Sequence, residues 1–160
     1  MATQTLDTAT ELLHFQLRTA LTMEDDSLAA LGVLGKAAKS AHIKKMFSHH
    51  ADETKEQIQN LHKVFELLDL KLTTAPSPST KGIGKQAESL IMRSATPIRD
   101  LVVLSSALGN EHYEMAAYES LIIPVTALGV HDAVALLQSN LDQETHTSEE
   151  LKAELERIAS

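Results

Sequence analysis

The 160-residue chain carries a net charge of −8 and no cysteine. This excludes disulfides, thiolate metal sites and cysteine nucleophiles, and argues against a nucleic-acid partner. Aromatic residues make up only 3% and tryptophan is absent, so a core must come from Leu, Ala, Ile, Val and Met, which suits helices better than sheets. Residues 1–160 have the length of a single domain. No apolar run approaches the ~20 residues that cross a bilayer, and the N-terminus lacks the pattern of a signal peptide. A cytoplasmic protein with no membrane partner is the expectation.

Four long amphipathic helices are predicted. The first spans about 7–39, with a stripe through Leu13, Leu17, Leu21, Leu28, Leu31 and Leu34 that also carries Glu24. The second spans about 40–70, with Ser40 as its N-cap. Its stripe passes Ile43, Phe47, His50, Gln57, Leu61, Val64 and Leu68, and Glu53 lies one turn beyond His50. Residues 71–96 form a crossover: a loop rich in Thr, Pro and Ser, then a short helix over about 81–94. The third long helix spans about 97–128 and starts at Thr96-Pro97. Its stripe includes Leu101, Leu104, Leu108, Glu111, Met115, Tyr118, Ile122 and Val125, Pro124 is expected to kink or loosen its last turns, and Gly129 ends it. The fourth spans about 131–158 through Val134, Leu137, Leu141, Glu144, Ser148, Leu151 and Leu155. All four stripes keep the 3-4 spacing that faces a bundle core. Connections that run short, long, short match a ferritin-like four-helix bundle, whose crossover makes the second and third long helices parallel. The expected fold is therefore all-α.

The two halves carry the same acid signature. Glu24 precedes Ser27-Leu28-Ala29-Ala30-Leu31, with Glu53-Thr54 downstream; Glu111 precedes Glu114-Met115-Ala116-Ala117-Tyr118, with Glu144-Thr145 downstream. Each bundle helix thus places one glutamate midway along its stripe. Three readings compete: solvent-facing acids at the stripe edges, a carboxylate–cation network, or a pair of metal ions. The matched heights weigh against the first. The second lacks cations, since only Lys55 lies within two residues of any of the four. Carboxylates so close cannot all stay ionised in a dry core without positive charge among them. Oxygen-rich ligation suits two Fe or Mn ions per chain, with no organic cofactor. The Glu-x-x-His pattern of such frameworks is missing: Glu56 follows Glu53 and Thr147 follows Glu144 at that spacing. His50, a turn before Glu53, and Glu114, a turn after Glu111, can compensate. Helix geometry assigns Glu24, Glu53 and Glu114 to one ion and Glu111, Glu144 and His50 to the other.

His50-Ala51-Asp52-Glu53-Thr54 with Gln57, and Glu111-His112-Tyr113-Glu114 with Tyr118, resemble signature segments of the YciE/YciF ferritin-like family. Ala127-Leu128-Gly129 and Leu141-Asp142-Gln143-Glu144-Thr145 are similar to its last helix, and the resemblance runs from about Ala9 to Ile158. It implies a ferritin-like bundle with a di-iron-type site, linked to bacterial stress responses and without an established reaction. It also implies metal ligation by Glu24, His50, Glu53, Glu111, Glu114 and Glu144. Asp52 and Gln143 replace acids usual in the family, and the crossover reads Lys81-Gly82-Ile83-Gly84 where the family has a Cys-containing segment.

Other polar residues receive plainer expectations. His112 faces away from Glu111 and is assigned packing or indirect support. Tyr118 is assigned to the core in preference to a bond with a ligand, and Gln57 is a candidate amide beside the site. His146 points elsewhere, and His14, His42, His49, His62 and His131 are placed on the surface. Met23 and Met115 fill the core. The expected function is a redox-active di-metal protein that consumes peroxide or oxygen, or oxidises Fe(II), under stress. The alternative is a structural or binding stress protein; iron storage in a cage is weaker. A homo-oligomer, a dimer, is the expected assembly.

Overall fold

The computed structural model describes residues 5–160. Five α-helices follow one another: α1 Ala9–Ala37, α2 Ala41–Leu67, α3 Pro78–Arg93, α4 Arg99–Ala127 and α5 His131–Ala159, with a 3-10 turn at Thr96–Ile98 before α4. Among the described residues there is no strand. Helices α1, α2, α4 and α5 are the four bundle helices expected, and α3 belongs to the crossover.

Local signals set most of the helix ends. Thr8 and Glu11 form a capping box at the start of α1: Thr8 Oγ1 accepts from Glu11 N at 3.1 Å and Glu11 Oε2 accepts from Thr8 N at 2.9 Å. Ser40 does occupy the N-cap of α2, but its side chain makes no cap bond. The Asp100 carboxylate, in the first turn of α4, instead holds the chain just ahead of α2, accepting from Lys39 N at 2.6 Å and Ser40 N at 3.0 Å. At the end of α2, Asp69 adopts a left-handed φ of 52°, and Leu70 N donates to Phe65 O at 2.9 Å. Pro124 does not end α4, which continues to Ala127 until Gly129 turns the chain at φ 73°.

The crossover is tied along α1. Thr22 Oγ1 donates to Ala75 O at 2.7 Å, Arg18 Nη2 donates to Thr74 O at 3.0 Å, and Ala75 N donates to Arg18 O at 3.2 Å. His14 is half-buried rather than on the surface: its Nε2 lies 3.0 Å from Lys71 O and its ring meets Phe65 edge-on. α3 then starts at Pro78, ahead of the expected position, and packs over the seam between α1 and α4.

The apolar core is divided in two. One cluster joins Leu13, Leu17 and Leu21 of α1 to Leu61 and Phe65 of α2, Leu121 and Val125 of α4, and Leu137 of α5. The other joins Leu31 and Leu34 to Ile43 and Phe47, Val103 and Leu104, and Leu151. The start of α1 therefore meets the start of α5 and the ends of α2 and α4. This makes α2 and α4 parallel, as the long crossover requires. Between the clusters, at mid-height, every bundle helix turns a polar residue inwards.

Candidate metal centre

Glu24 and Glu114 are 0% and 1% exposed, and Glu111 and Glu144 are 3% and 4% exposed. The helices that carry them are fixed above and below by the two apolar clusters, so the carboxylates cannot swing out to water. One carboxylate oxygen from each of Glu24, Glu114 and Glu144 lies within 4.8 Å of the others. Glu111 shares a hydrogen bond with Glu144. Burial pushes all four carboxyls above the usual carboxylate range, and neighbouring carboxylates push Glu24, Glu111 and Glu114 further. Among the described residues, no Lys or Arg pairs with any of the four.

The remaining two sequence candidates sit at one side. His50 is buried, and its Nδ1 lies 3.0 Å from Glu53 Oε2 and 3.2 Å from Thr147 Oγ1. The Glu53 side chain is 18% exposed, and its other oxygen is 3.5 Å from His49 Nε2. Proximity thus sets Glu144, rather than Glu53, beside Glu24 and Glu114, while Glu53 and His50 form a pair on α2.

Several polar groups complete the layer. Tyr118 is fully buried, as a core residue should be, yet its hydroxyl donates to Glu24 Oε1 and accepts from Asn140 Nδ2 at 3.0 Å. Burial and the adjacent Glu24 push its phenol up. Asn140 also donates to Gln57 O at 3.2 Å and accepts from Asn60 Nδ2 at 2.9 Å. Gln57 lies beside Glu144, and Ser27 and Asn110 lie beside Glu114, where they favour the ionised carboxylates. Asn60, Asn140, Ser27, Asn110 and the Thr147 contact escaped the sequence reading. Asn140 did carry a signal, because it precedes Glu144 by one turn on the same face. His112 is exposed and reaches nothing in the site, contrary to the supporting role expected of it. His146 points outwards as expected and lies 3.5 Å from Glu150.

The donors fit a hard divalent cation. Glu24 Oε2, Glu114 Oε1 and His50 Nε2 are buried atoms without a hydrogen-bond partner. Such atoms are costly unless a proton or a cation meets them. Carboxylate oxygens are hard donors of the kind that divalent cations take.

A family model described as "Domain of unknown function (DUF892)" matches residues 8–160. The chain belongs to the DUF892 family. The Escherichia coli K12 protein YciF is 29% identical over 120 residues, which cover 74% of this DUF892 chain and 72% of YciF. The crystal structure of YciF, described as a stress protein, superposes with a TM-score of 0.91 at 25% identity, covering 96% of this chain and 98% of YciF. YcfI of Rhodopseudomonas palustris, described as a candidate structural protein, superposes with a TM-score of 0.90 at 28% identity, covering 95% and 98%. The YciE/YciF resemblance and the all-α bundle read from the sequence are both borne out. Three buried carboxylates able to hold a metal are present. No described helix is long and apolar enough to cross a membrane.

Proposed function

We propose that this DUF892 protein is a di-metal carboxylate protein, holding two iron or manganese ions at mid-bundle and acting on peroxide or oxygen, or on Fe(II) itself, in a stress response. The observation that carries this reading is the convergence of Glu24, Glu114 and Glu144 within 4.8 Å, buried and without a cationic partner. These three residues would hold one ion. Glu111, His50 and Glu53 would hold the second, with Glu144 near enough to Glu111 to serve both. Two ferrous ions held there would supply the two electrons needed to reduce peroxide to water. The chain's own contribution is to keep the site dry, to hold Glu24 through the Tyr118 hydroxyl, and to offer Glu53 as the ligand in reach of solvent. That YciF is described as a stress protein supports the setting.

A second reading, a structural or binding stress protein whose metal is not catalytic, is favoured by the description of YcfI. It is also favoured by the hydrogen-bonded chain Asn60–Asn140–Tyr118–Glu24, which ties α1, α2, α4 and α5 together without any metal. Metal analysis after reconstitution with Fe(II) should give about two ions per chain, as in other bundles of this type. A value near zero would remove the metal reading. Stopped-flow absorbance of Fe(II) mixed with peroxide then separates the two: oxidation no faster than in buffer leaves the structural role.

A further inference from the structure

Helix α3 covers the seam between α1 and α4 with small residues, Thr80, Gly84 and Ala87 among them. Beneath it lies a cavity of about 20 Å³ whose wall includes Ser106, Asn110 and Glu111. A single water needs roughly 10–15 Å³ on this measure, so the cavity suits one small guest and nothing the size of a metabolite. Its wall indicates which kind. Ser106 lines the cavity, and its hydroxyl oxygen is buried without a hydrogen-bond partner. An orphaned hydroxyl of this kind is uncommon and calls for a polar occupant; an apolar gas would leave it unpaired. The cavity also reaches the carboxylate layer. Asn110 Nδ2 donates to Ser27 Oγ at 3.0 Å, both side chains lie beside Glu114, and Glu111 stands in the wall itself.

We propose that this cavity is a binding chamber for one small hydroxylic molecule, hydrogen peroxide or water, held by Ser106 next to Glu111 under the cover of α3. Its use as a peroxide port rests on the metal-site reading above; its existence as a binding site does not. Peroxide and water present the same donor and acceptor chemistry to Ser106, and kinetics tells them apart.

Two variants test the chamber. Gly84 lines the cavity, and a Cβ added there meets nothing within 4 Å, so Gly84→Leu adds bulk at the cavity wall without a clash while improving helix propensity. Ser106→Ala removes the hydroxyl and keeps the space. Equilibrium binding of Mn(II), measured by calorimetry, should stay within about twofold of wild type in both, because neither residue is a candidate ligand. The rate of Fe(II) oxidation at low peroxide should fall at least about tenfold in Gly84→Leu. In Ser106→Ala the apparent KM for peroxide should rise about fivefold, the equivalent of one hydrogen bond. Crystals of wild type, metal-free and soaked in peroxide, should show one ordered molecule on Ser106 Oγ that Gly84→Leu lacks. An empty cavity in wild-type crystals overturns the site. An occupied cavity with wild-type peroxide kinetics in Gly84→Leu overturns the port. If wild type binds no Mn(II), the metal reading and the port fall together, while density on Ser106 still decides the chamber.

Discussion

Removing metal from this site should make stability depend steeply on pH, and the slope counts the trapped protons. Glu24, Glu111, Glu114 and Glu144 all have carboxyls raised above the usual range by burial. A raised carboxyl binds its proton more tightly folded than unfolded, so its stabilising effect is full below the unfolded value. It is lost as pH climbs from there through the folded value. Glu111 and Glu144 share a hydrogen bond, so at most three protons are held by the four groups while that pair stays bridged. Each retained proton contributes about 1.4 kcal/mol per pH unit, and three give roughly 4. Two pH units at that slope would consume the ~5–15 kcal/mol of a typical domain. The metal-free protein should therefore weaken markedly between pH 5 and 8, by at least one proton's worth per unit. Protein loaded with Mn(II) should be much flatter, because the ions replace the protons. Urea unfolding with and without chelator across this range reads the slope, and Glu24→Gln should reduce it by about one proton. A metal-free curve that is flat or rises with pH would show that the carboxylates are hydrated and the buried layer does not exist.

Glu53→Gln should weaken Mn(II) binding by about tenfold or more, since one ligand charge is lost at roughly constant shape, whereas the exposed Glu56→Gln should leave the titration unchanged. Tyr118→Phe strips a donor from Glu24 and an acceptor from Asn140; it should cost the metal-free fold about 1–3 kcal/mol in urea unfolding, and a loss below ~0.5 kcal/mol would mean the chain of hydrogen bonds is not formed. Asp100→Ala removes the two bonds that tie the α1–α2 connection to α4 and should cost about 1–2 kcal/mol by the same assay, while Ser40→Ala should cost little because the Ser40 side chain caps nothing.

The bundle was legible because its signals are local and repeated: 3-4 apolar spacing on four segments and one long connection among short ones. The four mid-stripe glutamates were legible for the same reason, since a helix face is a matter of spacing. What spacing does not give is how near a stripe residue sits to the edge. Glu53 and Glu144 occupy equivalent stripe positions, yet Glu53 keeps 18% of its side chain in solvent while Glu144 is buried among carboxylates. Long-range partners were equally hidden. Ser40 holds the N-cap position the sequence suggested, but its side chain bonds no first-turn amide, and the chain entering α2 is held instead by an aspartate some sixty residues away. Tyr118 was read as core, and burial does describe it, but the Glu24 oxygen it bonds belongs to another helix. α3 begins before its expected start because Pro78 opens it and the crossover is anchored to α1, whereas Gly82 and Gly84 depress its propensity.

The two apolar clusters impose a condition on how the chain folds. Each contains pieces of all four bundle helices, one from the beginnings of α1 and α5, the other from their ends. Neither hairpin, α1–α2 or α4–α5, can therefore complete a hydrophobic nucleus by itself; each brings half of two cores. The crossover that joins them must close a long loop before either core is whole. The glutamate layer lies at the waist where the two cores meet. A polypeptide cut between the hairpins would be two unfinished surfaces, each matched to the other and to a second copy of the same half. That is the architecture expected where one hairpin once paired with itself, and the repeated acid signature along the chain is the trace such a history would leave.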